Sequence, residues 1–199
     1  MVEGQLKARG IKSEAVLEAM RKVPRHFFVP DDLQGDAYKD SPLPIGMGQT
    51  ISQPYIVAYM TEQLGAAPGM KILEIGTGSG YQAAILAFLG CSVHTIELLG
   101  ELASEAKEIF SALNIQNVRV KYGNGFLGWP EEAPFDAVIV TAAPPRIPER
   151  LIEQLKAGGR MIIPVGNIHS VQSLKCITKK DNGIMEQDLI PVRFVPMVE

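Results

Sequence analysis

The apolar positions of the chain follow two regimes that meet near residue 70. Beyond that point short apolar runs alternate with helical stripes. Residues 71–75 read as a strand entering a glycine-rich turn, 81–89 as an apolar helix, and 93–96 as a second strand closed by Glu97. Residues 98–113 have amphipathic helical spacing, 118–121 form a third strand, and 135–140 are apolar enough for a strand buried on both faces. A helix over 148–155 is expected to end at Gly158-Gly159, followed by a fifth strand over 160–164. Two last strands, 171–177 and 184–194, flank the turn Asp181-Asn182-Gly183. This alternation predicts a doubly wound α/β fold, a mostly parallel seven-stranded sheet covered on both faces with an antiparallel hairpin at one edge.

The N-terminal third is patterned differently. Residues 13–22 form a short helix, with Ser13 as N-cap, a stripe of Val16, Leu17 and Met20, and Pro24 just past its end. Residues 24–53 are dotted with Pro30, Pro42, Pro44, Gly46 and Gly48. That stretch is too long for a simple connector, and long ordered loops tend to carry function. A helix over 55–64, opened by Pro54, presents Ile56, Val57, Met60 and Leu64 on one face. No repeat or low-complexity tract interrupts the chain, so a single domain, 1–199, is expected, with a substrate-selecting extension over 1–69 and a cofactor-binding core over 70–199.

Composition narrows the class without naming a chemistry. With 199 residues, 46% hydrophobic, the chain suffices for one sizeable core. Nineteen Lys and Arg against 22 Asp and Glu leave a net charge of −3, which argues against binding nucleic acid by bulk electrostatics. The longest apolar run, 83–89, is too short to cross a bilayer, and the start lacks the pattern of a secretion signal. Cys91 and Cys176 lie far apart with no ligand spacing, and His26, His94 and His169 are scattered. Neither a disulfide framework nor a metal site is expected, and a reducing, cytoplasmic compartment fits best.

The strongest local signal is Gly76-Thr77-Gly78-Ser79-Gly80, between a buried strand and a helix. A dinucleotide fingerprint would place its third glycine at 81, where this chain has Tyr81. The shorter spacing, with the acidic Glu74 in the preceding strand, favours S-adenosyl-L-methionine over a nicotinamide. Glu97 at the end of the second strand is suited to accept from ribose hydroxyls. Gly123-Asn124-Gly125 follows the third strand, where the Asn124 amide can meet an adenine amino group; the alternative is an ordinary Asn-Gly turn. A second constellation, Gln49-Thr50-Ile51-Ser52-Gln53-Pro54, brings hydroxyls and amides to a helix start, an arrangement suited to a carboxylate. Ser52 taken alone reads as a helix cap. No G-x-S-x-G elbow is present to make it a hydrolase nucleophile.

These segments resemble one family, the protein-L-isoaspartate (D-aspartate) O-methyltransferases. The likeness runs through Val23-Pro24-Arg25, Phe28-Val29-Pro30, the run from Gly46 to Pro54, and Leu73 to Gln82. It continues in Phe135-Asp136-Ala137, Thr141-Ala142-Ala143, Gly158-Gly159-Arg160, Pro164-Val165-Gly166 and Arg193-Phe194-Val195-Pro196. The resemblance implies a class I S-adenosylmethionine-dependent methyltransferase, Rossmann-like, that methylates the free carboxyl of L-isoaspartyl and D-aspartyl residues in damaged proteins. It implies a cytoplasmic enzyme whose partners are such peptides and proteins; a monomer is expected, although the sequence itself leaves the oligomeric state open. It makes Ser52 the active-site residue, and Glu74, Gly76, Thr77, Gly78, Gly80, Glu97, Asn124 and Gly125 the cofactor set, covered by Thr50 and Ile51. Gln49, Thr50, Ser52, Ala142, Ala143, Val195 and Pro196 become substrate contacts. Two departures stand out: Asn124 where the family commonly has aspartate, and Met197 where it often has leucine. The rival readings are a methyltransferase for a small molecule or RNA, a non-catalytic S-adenosylmethionine-binding module, and a nicotinamide dehydrogenase.

Overall fold

The computed structural model describes residues 1–167 and 170–199, so His169 lies outside the described residues. Seven strands form the main sheet: β3 (Lys71–Ile75), β4 (Ser92–Glu97), β5 (Val118–Tyr122), β6 (Phe135–Val140), β7 (Leu155–Val165), β8 (Gln172–Lys180) and β9 (Gly183–Val192). Their order is β5-β4-β3-β6-β7-β8-β9. The first five in that order run parallel, and β8 and β9 add the antiparallel edge hairpin. The chain moves outward from β3 to β5 and then returns to β6 on the other side of β3. The switch point therefore lies at the carboxyl ends of β3 and β6, where open α/β sheets bind their ligands.

The period-2 pattern of the central strands separates two apolar clusters. On β3, Ile72 faces one layer, and Leu73 and Ile75 the other; on β6, Ala137 and Ile139 face the first, and Val138 and Val140 the second. Every residue of β6 except Asp136 is buried, as its unbroken apolar run required. The first cluster also takes α1 (Glu14–Lys22), α2 (Pro54–Leu64), α3 (Tyr81–Phe88) and α4 (Gly100–Ala112), while α5 (Glu149–Glu153) packs in the second. Val2 and Leu6 belong to the same cluster as Ile162 and Val192, so one continuous core joins the N-terminal third to the sheet.

Helix α1 begins as its sequence indicates, the Ser13 hydroxyl accepting from Val16 N–H at 3.4 Å. Between α1 and α2 the chain makes two 3-10 turns, Arg25–Phe28 and Asp31–Asp36, and a small antiparallel hairpin of β1 (Leu43–Pro44) and β2 (Thr50–Ile51). One expectation is corrected. The helix expected over 148–155 stops at Glu153, and β7 already begins at Leu155, pairing with Phe135. The register then shifts, so that Ala137 meets Arg160 and the residues between, Gly158-Gly159 included, form a bulge. The two glycines mark a kink inside a strand, not the end of a helix.

Candidate active site

Loops from four neighbouring strands meet above the sheet. Gly76 and Thr77 N–H donate to Ile96 O at 2.9 and 3.3 Å, Gly123 N–H to Glu97 O at 2.9 Å, and Thr141 N–H to Ile75 O at 2.9 Å. These bonds tie the ends of β3, β4, β5 and β6 into one floor. Glu97, only 7% exposed, organises it further: its carboxylate accepts from Gly78 N–H at 2.8 Å and Leu99 N–H at 2.9 Å. A carboxylate offers about four lone-pair sites, so acceptor capacity remains for a pair of vicinal hydroxyls.

The loop glycines answer different needs. At Gly76 (φ +94°) a Cβ would lie 2.5 Å from Thr141 Oγ1, and that hydroxyl is fixed to Ile75 O at 3.0 Å and Gly76 O at 2.6 Å. At Gly80, the left-handed residue that opens α3, a Cβ would lie 2.7 Å from Phe110 Cζ of α4. Gly76 thus admits a close approach at the floor, whereas Gly80 lets two helices pack.

The floor opens into a cleft. Its walls include Gln49, Thr50, Ile51 and Ser52 from the hairpin side, and Gly76, Thr77, Gly78, Glu97, Gly125, Ala142, Val195 and Pro196 from the core. Sequence reasoning had not identified Val57, Tyr81, Gln82, Leu99, Thr141 and Met197, which also line it. Thr141 carried a signal, since it directly follows β6 at the switch point; the others are core side chains whose exposure to a cleft leaves no mark in spacing.

Four residues expected at the site stand apart from the cleft walls. Asn124 Oδ1 accepts from Phe126 N–H at 2.8 Å and caps the 3-10 turn Gly125–Leu127, a bond that uses one of the two lone pairs of the amide oxygen. Ala143 exchanges bonds with the C-terminal segment, its N–H donating to Val195 O at 2.8 Å and its carbonyl accepting from Met197 N–H at 2.9 Å. It therefore seats Val195 and Pro196 in the wall. Gly80 serves helix packing, as above. Glu74 is fully buried beneath the loop, with Thr95 and Ile139 beside it in register, and among the described residues neither carboxylate oxygen has a hydrogen-bond partner. Burial pushes its pKa up to about 8 and Glu97 adds to the push; the nearby Thr95 hydroxyl, which is outside hydrogen-bond geometry with the carboxylate, opposes them only weakly. Thr95 Oγ1 also pairs with Thr77 Oγ1 at 2.7 Å, which connects this layer to the cleft.

A second cleft lies beyond Ser52, between α2 and the end of β9. Thr50, Ser52, Thr141 and Val195 line both clefts and form the threshold between them. Ser52 is not a helix cap, because Gln53 occupies the N-cap of α2 and makes no side-chain cap bond. The Ser52 carbonyl instead accepts from Arg25 Nη2 at 2.8 Å. Arg25 is fully buried, with Nε donating to Ala37 O at 2.7 Å and the guanidinium 4.8 Å from the Tyr81 ring centre. Among the described residues no group of His, Cys, Asp and Glu is arranged to hold a metal ion.

The sequence matches the family described as Protein-L-isoaspartate(D-aspartate) O-methyltransferase (PCMT) over residues 1–199. It is similar to the protein-L-isoaspartate O-methyltransferase of Gloeobacter violaceus, 55% identical over 197 residues that cover 99% of this chain and 96% of that one. A solved protein-L-isoaspartate O-methyltransferase superposes with a TM-score of 0.89 at 30% identity, over 97% of this chain and 63% of that one. A Plasmodium falciparum structure described as a protein-L-isoaspartate O-methyltransferase, in complex with S-adenosyl-L-homocysteine, gives 0.85 at 29% identity over 96% and 94% of the two chains.

Proposed function

The chain belongs to the protein-L-isoaspartate (D-aspartate) O-methyltransferase family, and from that premise we propose how its two joined clefts serve the reaction. The enzyme transfers a methyl group from S-adenosyl-L-methionine to the free carboxyl of isoaspartyl residues in damaged proteins. When bound, S-adenosyl-L-methionine supplies an electrophilic methyl on a cationic sulfur. Gly76, Thr77, Gly78, Gly125 and the acceptor capacity of Glu97 hold it in the first cleft, with Thr50 and Ile51 over it. The damaged polypeptide lies in the second cleft. The observation that carries this assignment is the shared threshold of Thr50, Ser52, Thr141 and Val195, the common wall across which donor and acceptor meet.

The chemistry asks little of the protein beyond position. The α-carboxyl freed by an isoaspartyl linkage has a pKa of about 3.3–3.7 and is already ionised at neutral pH, so no general base is needed. The threshold side chains agree with this: three hydroxyls and one valine, none of which titrates near neutrality. Ser52 orients the acceptor carboxylate by donating its hydroxyl hydrogen, and the dry walls of Ile75, Ile96 and Met197 keep water from the donor. We assign substrate selection to the N-terminal segment that delivers Gln49 to Ser52.

Methyl transfer to an isoaspartyl peptide, measured beside its normal aspartyl isomer, tests the reading. Selective labelling of the isoaspartyl form is expected; equal labelling, or none of either, overturns it. Ser52→Ala removes one hydrogen bond to a charged group, so turnover is expected to fall about 10- to 100-fold. Affinity for S-adenosyl-L-homocysteine, read by calorimetry, should stay within about twofold of wild type, given that the lost contact is to the acceptor.

A further inference from the structure

The second cleft has a charge character that the methyl-transfer step does not use. Two cations line it, Arg9 and Arg193, and no Asp or Glu among the described residues does. Arg9 is already satisfied. Its Nη1 lies 2.5 Å from Asp40 Oδ2, and its guanidinium sits 3.6 Å over the Tyr55 ring. Arg193 is exposed and makes no hydrogen bond or ion pair among the described residues.

The backbone that carries Arg193 is nevertheless fixed on both sides. Val192 pairs with Gln172 in the β8–β9 ladder. The Gln172 side chain then clamps Phe194, accepting from its N–H at 2.6 Å and donating to its carbonyl at 3.0 Å. Two residues beyond Arg193 stands Val195, a member of the threshold. An extended chain advances about 3.3–3.6 Å per residue, so Arg193 is rooted within roughly 7 Å of Val195 along the wall. A peptide running out of the threshold covers the same distance in about two residues.

We infer that Arg193 is a specificity-determining residue that reads an acidic side chain within about three positions of the acceptor residue. This rests on the methyltransferase reading above, which puts the polypeptide in this cleft. The net charge of the whole chain is −3, so any preference for acidic flanks has to arise locally, and Arg193 is the uncompensated cation in the cleft. A fixed root, a free guanidinium and an absence of competing carboxylates together make a rim site for one carboxylate.

The test uses three isoaspartyl peptides that differ only in the flanking residues, all Glu, all Gln or all Lys. Their binding is measured by fluorescence anisotropy with S-adenosyl-L-homocysteine present, and their methylation is followed in parallel. Wild type is expected to bind the Glu-flanked peptide about two- to fivefold tighter than the Gln-flanked one and the Lys-flanked one weakest. The spread should shrink at high salt and appear in KM, not kcat. Arg193→Gln should erase the order and Arg193→Glu reverse it, with the unfolding midpoint read to establish that each variant is folded. No order in wild type, or the same order in Arg193→Glu, overturns the inference. Failure to methylate any of the peptides while the binding order holds would instead overturn the methyltransferase reading.

Discussion

Arg25 fixes where Ser52 stands. Its two bonds reach the carbonyls of Ala37 and Ser52, twelve and twenty-seven residues away, and draw the Pro- and Gly-dotted segment against Tyr81. Burial lowers its pKa to about 10, opposed by the neighbouring tyrosines, and it stays charged at neutral pH. The fork of the guanidinium serves two carbonyls at once, which an ammonium at the end of a flexible stem does not do. Arg25→Lys is therefore expected to leave one buried carbonyl unpaired and to cost about 1–3 kcal/mol in denaturant unfolding. Because the released group is the Ser52 peptide, kcat for methyl transfer should fall by more than cofactor affinity does. An equal loss of both would make Arg25 a general core residue. In the sequence Arg25 is visible as one letter of a resemblance and nothing more, since periodicity carries no trace of a partner twenty-seven residues on. Ser52, Gly76 and Glu97 were legible because their chemistry is local: a hydroxyl before a helix, a glycine after a strand, an acid at a strand end. Asn124 was legible in the same local way, and in the fold its oxygen also accepts from the Phe126 N–H of the turn that it caps.

At the scale of elements, strands and helices with regular apolar spacing were readable almost to the residue. β3 and β6 have the bounds that their apolar runs predict, and α2 starts at the proline that opens it. Legibility failed where tertiary pairing overrides local punctuation. Gly158-Gly159 reads as a helix stop, yet pairing with β6 draws the chain into β7 three residues earlier and leaves the glycines in a bulge. The hairpin of β1 and β2 is two residues deep on each side, too short to show alternation. Gly80 belongs to this scale as well, because it sets how closely the start of α3 approaches α4. Gly80→Ala places a methyl against the Phe110 ring in a left-handed conformation, and a loss of about 1–3 kcal/mol is expected by thermal unfolding. Since α3 follows directly from the cofactor loop, calorimetry should also show weaker S-adenosyl-L-homocysteine binding. Adding Phe110→Leu should recover part of the stability by relieving the clash. A failure of that rescue would leave the backbone conformation as the whole cost.

The molecule as a whole carries one buried acid that its mechanism does not consume, and Glu74 shapes the pH dependence of the fold. An unfolded chain releases the Glu74 proton near pH 4.5, whereas the folded chain keeps it until about pH 8. Between those values unfolding releases a proton, so rising pH favours the unfolded state, by up to about 1.4 kcal/mol per pH unit for one fully coupled group. His94 acts in the opposite sense at the acidic end. Burial lowers its pKa despite Glu132 Oε2 at 3.3 Å, so the folded chain holds it neutral and loses stability as pH falls below about 6.5, the ordinary histidine value. Glu132 and Asp136, where burial is outweighed by Arg119 and by Lys156 respectively, titrate below the usual carboxylate range. Cys91, pushed by burial up to about 11, titrates above the range of interest. The interval from about pH 6.5 to 8 thus isolates Glu74. Wild-type unfolding midpoints are expected to fall steadily across it. Glu74→Gln keeps the shape and removes the titration, so its midpoints should be flat over the same interval and higher than those of wild type near pH 8. A wild-type profile that is already flat there, or a Glu74→Gln profile with the wild-type slope, would show that the folded chain ionises this carboxyl in the ordinary range despite its burial.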